Sequence, residues 1–224
     1  MDDARDCLVK YRTRYYQKID KELIIESYSG WYGLIPVIRE TCANYKVVIL
    51  IRDPRDWVRS NMDWGKMYGR RDWVSKFGFR RLSPFMIHDT VYQNDWRHFD
   101  QFQKLCWAWK TIYEILSDDS AEDSNIKIFK FEDLFCADQK TSYFKLLIEF
   151  IANFGDKQFD YNSEVNLENI LNQKIHKNIA YDFPSWPEWS NQRARTLDQI
   201  CGTLMEKFGY GNEKLWNDKL TALS

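Results

Sequence analysis

Arg52 and Ser60 stand eight positions apart in the segment Val47–Ser60, VVILIRDPRDWVRS. A guanidinium is a planar fork suited to bidentate contact with a phosphate, and a serine hydroxyl adds one more donor. Such a pair is equipped to hold an anion. The surrounding charge agrees: residues 46–81 carry ten Lys and Arg against four Asp, a local +6 in a chain whose net charge is −1. A basic stretch in a near-neutral chain points to a small anionic ligand. Nothing in the whole-chain charge speaks for nucleic acid, and no nucleic-acid partner is expected. A solvated basic surface would explain the charge on its own.

The local elements decide whether the two residues can meet. KVVILI at 46–51 is continuously apolar and largely β-branched, the pattern of a parallel strand covered on both faces. Asp53 and Pro54 then read as an N-cap and a first helical residue, with a helix running to about Trp64. This puts Arg52 at the carboxyl end of a strand, where ligands of open α/β sheets sit. The helix start adds unpaired N–H groups that attract phosphate. Ser60 lies two turns past Asp53 on the same face, with its side chain leaning back toward the start. A capped helix with an Asp–Arg surface network would account for Asp53, Pro54 and Asp56. It would not account for an arginine at the strand end with a serine eight residues on.

The rest of the chain supplies the frame. Residues 3–19 read as a helix, ELIIES at 22–27 as a short buried strand, and 33–43 as a helix with Pro36 near its start. Residues 65–94 are irregular. A long helix is expected over 95–117, with Trp96, Phe99, Phe102, Leu105, Cys106, Trp109, Ile112, Tyr113 and Leu116 as its buried stripe. IKIFKF at 126–131 reads as a strand, and helices follow over 139–154 and 191–208. The alternation implies one α/β domain spanning 1–224 with a parallel sheet and right-handed crossovers. Five scattered cysteines without C-x-x-C spacing exclude a disulfide framework or a zinc site, so no metal is expected. Reduced thiols, no apolar run near the ~20 residues that span a bilayer, and an N-terminus unlike a signal peptide point to a cytoplasmic protein without a membrane segment.

Val47–Ser60 resembles the 3′-phosphate-binding motif of sulfotransferases that use 3′-phosphoadenosine 5′-phosphosulfate (PAPS), where a strand ends in R-x-P-x-D and a serine follows eight residues after the arginine. Ile128–Leu134, IFKFEDL, resembles the family's strand ending in Y-E-D-L. Trp186–Tyr210 resembles its end, a tryptophan loop, a helix and then L-G-Y. Together these cover roughly residues 22–212. The resemblance implies a P-loop-NTPase-like three-layer fold, with a central parallel sheet flanked by helices. It implies PAPS as co-substrate and transfer of a sulfuryl group to a hydroxyl or amine of a small-molecule or glycan acceptor. Arg52 and Ser60 would hold the 3′-phosphate, and Phe131, where the family has tyrosine, would stack on adenine. Lys174 and Lys177, with His176, lie where the family has a basic phosphate-binding loop. The family's cytosolic branch takes its base from a histidine ending the preceding strand; here that strand has Glu26, and glycan-modifying relatives use a glutamate. Glu26 is therefore the candidate base, with His88 and His98 as alternatives. Residues 65–95, with Trp64, Tyr68, Trp73, Phe77, Phe79 and Phe85, would line the acceptor pocket.

The family's first strand and its Ser/Gly/Thr-rich loop, which cradles the 5′-phosphosulfate, are not recognisable. Neither is G-x-x-x-x-G-K-S/T. The expectation is an N-terminally incomplete fold, with little transfer activity in this chain alone. An uncovered sheet edge would be prone to association, hence a possible homodimer. Two other readings stay open. One is a non-catalytic sulfotransferase-like fold that binds a nucleotide or a partner protein. The other is a nucleotide-kinase-like phosphotransferase, against which the missing G-K-S/T counts.

Overall fold

The aliphatic run VVILI forms β1 (Val47–Ile51), and IKIFK forms β2 (Ile126–Lys130). In the computed structural model, which describes residues 2–16, 18–20, 23–27, 29–76, 81–154, 157–158 and 182–222, the two pair in parallel from Val47↔Ile126 to Ile51↔Lys130. Before β1 come α1 (Asp2–Tyr16), a 3-10 turn at Ser29–Gly33 and α2 (Ile35–Thr41). Between the strands lie α3 (Pro54–Trp64), the short α4 (Trp73–Lys76) and α5 (Thr90–Gln93), and the long α6 (Gln101–Glu122). After β2 come α7 (Phe131–Phe135), α8 (Lys140–Ala152) and a two-residue ladder of β3 (Asn153–Phe154) with β4 (Lys157–Gln158). A 3-10 turn at Trp186–Glu188, α9 (Asn191–Lys207) and α10 (Lys214–Thr221) end the chain. The protein is thus mixed α/β, with a parallel pair at its centre.

The core gathers around α6, which packs against α3, α9 and β2. Its Leu105, Cys106, Trp107, Ala108 and Trp109 are fully buried, facing Ile49, Ile51 and Val58 on one side and Ala194, Leu197 and Cys201 on the other. Each buried Leu or Ile contributes roughly 1.5–3 kcal/mol by leaving water. The helix begins at Gln101, later than its apolar stripe suggests, because Asp100 and Gln103 form a reciprocal capping box. Trp96 and Phe99 pack on the core from the turns before it, with Trp96 set 4.9 Å from Trp107. The far end extends past Leu116 to Glu122, where Arg39 of α2 bonds to the Asp119 carbonyl and to Asp123.

Two expectations about strands fail. Leu23–Ser27 forms no strand, and Ile25 is 73% exposed. Apolar and β-branched residues make a strand only where a sheet edge receives them, and among the described residues no strand pairs with this segment. Nor, among the described residues, is β1 covered on both faces. Ile49 and Ile51 are buried, but Leu50 is 40% exposed. Helix α8 lies on that second face beside β2, where Phe150 is 6.3 Å from Phe129, and meets Lys46 just before β1. Among the described residues, no helix is long and apolar enough to cross a membrane.

Candidate anion-binding site

The β1–α3 turn forms as its sequence predicts. Asp53 caps α3, its carboxylate accepting from the Arg55 amide at 2.8 Å, and Pro54 opens the helix. Arg52 sits at the carboxyl end of β1, half-buried, with its carbonyl accepting the Trp109 indole N–H at 2.9 Å. Its guanidinium lies 4.9 Å from the centre of the Phe131 ring, so the carboxyl ends of the two strands meet through this contact. The Arg52 Nε is buried and has no hydrogen-bond partner among the described residues. An unsatisfied buried donor costs about 1–3 kcal/mol, and an anion would relieve it.

Arg55, three residues on, is the opposite case. It is 1% exposed and lies between Trp186, 4.4 Å away, and Trp216, 5.0 Å away. Its guanidinium bonds to both oxygens of Asp53 and, bidentately, to Glu213 at 2.7 and 2.8 Å. Burial opposes its charge most strongly, but these bonds more than offset that and hold it firmly protonated. The Asp–Arg network of the rival reading does form, but in the interior and not at the surface, and it ties the C-terminal segment to the start of α3.

The helix start itself has little left to offer a ligand. The Asp56 and Trp57 amides bond to the Asp53 carbonyl, and Asp53 takes the Arg55 amide. The Asp53 amide donates to Glu132 Oε1 at 3.0 Å, and the Tyr210 hydroxyl donates to Glu132 Oε2 at 2.7 Å. Glu132 thus joins both strand ends to the C-terminal segment rather than capping α7. Burial and the bond to Glu132 push the Tyr210 hydroxyl well above its ordinary pKa. Any anion here would be held by side chains, chiefly Arg52, and not by free amides. Asp56 lies within electrostatic reach. Burial raises its pKa most, Asp53 adds to the rise, and Arg52 opposes it.

Ser60 is half-buried on α3, two turns past Asp53, and shares no hydrogen bond with Arg52. Phe131 is engaged by Arg52 and by Phe135, 4.7 Å away, so an adenine would have to share or displace these contacts. Glu26 lies on the exposed irregular segment before α2, ion-paired with Arg12. His88 and His98 are both exposed, and no bond links either to Arg52. Of the proposed acceptor lining, Tyr68 turns inward, edge-on to Trp96 and bonded to the Leu82 carbonyl, while Trp64, Trp73 and Phe85 are exposed. Lys174, His176, Lys177, Phe77 and Phe79 lie outside the described residues.

The partners that sequence reasoning missed are Trp109, Glu132, Tyr210, Glu213 and the two tryptophans around Arg55. Advance signals were slight: Glu132 and Trp186 fall inside the quoted motifs, and in the F-G-Y at 208–210 Gly209 takes a left-handed φ of 70° that turns Tyr210 back toward Glu132. Compared with family models, with curated proteins and with solved structures, the chain matches none.

Proposed function

We propose that this chain binds a 3′-phosphorylated adenosine nucleotide at the end of β1 and serves sulfuryl transfer from PAPS to a hydroxyl or amine acceptor. The reading includes a P-loop-like three-layer arrangement around the β1–β2 pair. The observation that carries it is the Arg52 guanidinium: stacked on Phe131, with a buried and unpaired Nε, at the carboxyl end of a parallel strand. Arg52 would contact the 3′-phosphate, with Ser60 as a second donor once a phosphate bridges the two. Lys174 and Lys177 would add cationic contacts. Calorimetry with adenosine 3′,5′-bisphosphate and with AMP tests this. The bisphosphate should bind more tightly. Arg52→Ala should lose about 1.5–3 kcal/mol of that binding, on the order of tenfold to a hundredfold. Equal binding of both nucleotides by the unaltered chain would overturn the reading.

One observation favours a second reading, a nucleotide-binding module without transfer activity. Glu26, the candidate base, is engaged with Arg12 on an exposed segment before α2. A general base must come within hydrogen-bond reach of the proton that it takes. An assay with PAPS and phenol, amine and sugar acceptors separates the two. Turnover that falls on the order of 10²–10⁴-fold in Glu26→Gln, with nucleotide binding kept, supports transfer. Nucleotide binding with no turnover supports the module.

A further inference from the structure

The two strands treat their outer edges differently. β1 is served by α6, whose Tyr113 hydroxyl donates to the Leu50 carbonyl at 2.9 Å and whose Trp109 indole donates to that of Arg52. Among the described residues, β2 pairs only with β1, and over 127–130 its backbone receives no side-chain bond. Along that stretch runs a cavity of about 410 Å³, floored by residues 127–130 and walled by Tyr143 of α8 and by Lys207 and Phe208 at the end of α9. An unpaired strand edge presents a row of N–H and C=O groups ready for another extended chain. At about 3.3 Å per residue, the four-residue floor matches a short strand of similar length.

The charge of this groove selects its occupant. Lys127, Lys130 and Lys207 all line it, against Asp133 alone. None of the three lysines is ion-paired among the described residues. Lys130 lies 4.7 Å from the Tyr210 ring, Lys207 donates to the Ser117 hydroxyl at 2.7 Å, and Lys127 rests near Phe129. Lysines on an edge strand normally deter pairing. Here they would set Lys127 and Lys130 against their own counterparts if two copies met edge to edge, which disfavours a second copy of this chain. An acidic strand suffers no such repulsion. The buried Phe129 and the Phe208 ring give its apolar side chains a surface.

We propose that the outer edge of β2 is a docking groove for an extended acidic segment of a partner protein, which adds as a third strand with its carboxylates on Lys127, Lys130 and Lys207. The groove's lining includes none of Arg52, Ser60 and Phe131, so the proposal stands without the nucleotide reading. Fluorescence polarisation with a labelled Glu-Val-Glu-Val-Glu-Val-Glu peptide tests it on the 224-residue chain. The expected result is saturable binding at least tenfold tighter than that of the Lys-Val counterpart. Lys127→Glu, an exposed position that should leave the fold intact by circular dichroism, should weaken it about tenfold. A peptide with alternate amides N-methylated keeps its charge but loses its donors, and it should not bind. Hydrogen exchange over 126–130 should slow when the unmodified peptide is added. If the methylated peptide binds as well as the parent, the groove is only a basic surface and the proposal fails. Displacement by ATP to the same extent as by unlabelled peptide, with no change in exchange over 126–130, would assign the cavity to a small anion. Absence of saturable binding also overturns it.

Discussion

Arg52 and Arg55 stand three residues apart on one turn, with identical side chains and opposite surroundings. Arg55 has two carboxylates and two indole faces, and its charge is spent on the fold. Arg52 has one ring beneath it and an unpaired Nε. An arginine whose donors are all answered within the chain is a structural tie. One held in place but left unanswered has donors to give a ligand. The contrast predicts that substitutions at the two positions act on different quantities.

The largest effect belongs to Arg55. Arg55→Ala strips the buried Asp53 of its counter-charge and empties the space between Trp186 and Trp216. Breaking a buried pair from one side costs about 3–5 kcal/mol, to be read in urea unfolding. A loss below about 1 kcal/mol would show that Arg55 is no more of a tie than Arg52. For Arg52→Ala the balance reverses: unfolding should move little or even improve as the unpaired donor disappears, while bisphosphate binding falls. A destabilisation as large as that of Arg55→Ala would erase the distinction between the two.

Tyr210→Phe comes next. It removes one of the two bonds that Glu132 accepts, and a hydrogen bond to a charged group contributes about 1.5–3 kcal/mol. Glu132 also holds the Asp53 amide, so the loss should reach the Arg52 side as weaker bisphosphate binding. Unchanged binding at reduced stability would confine Tyr210 to the Arg55 side.

The smallest effect is at Asp56, and it is a matter of pH. Its folded pKa is raised above the ordinary 3.8, first by burial and then by Asp53. Between the ordinary and the raised value, the folded chain holds more protons than the unfolded one. Stability from this group is therefore full below 3.8 and declines as pH rises through the folded value. Asp56→Asn should flatten that decline and be the more stable chain at neutral pH. It should also bind the bisphosphate more tightly, because a carboxylate no longer competes for Arg52. Urea titrations across pH 3–7 (roughly the range in which a raised carboxyl titrates) check the first point, and calorimetry checks the second. A steeper decline in the Asn chain would contradict the first, and weaker bisphosphate binding would contradict the second.

The local grammar of the site was legible in the sequence. VVILI is too short and too β-branched for a helix, Asp53-Pro54 is a cap followed by a helix-compatible proline, and both strands formed with their ends in register. The helices expected over 139–154 and 191–208 occur as α8 and α9. Leu23, Ile24 and Ile25 are aliphatic like β1, yet Leu23–Ser27 stays irregular. Sequence reports that a segment suits a strand, not that an edge is there to receive it.

What the sequence determined by itself was the turn that places Arg52, because capping and helix initiation are settled within four neighbouring residues. Only the tertiary structure decided what each polar group does. Glu132 and Tyr210 are 78 positions apart, and Arg55 and Glu213 are 158 apart. No local rule assigns partners over such distances, since they are brought together by burial of the α6 core and the folding of the C-terminal segment over α3. The same burial leaves Arg55 sealed and Arg52 unanswered, and it leaves β2 with an outer edge that no residue of the described chain has taken.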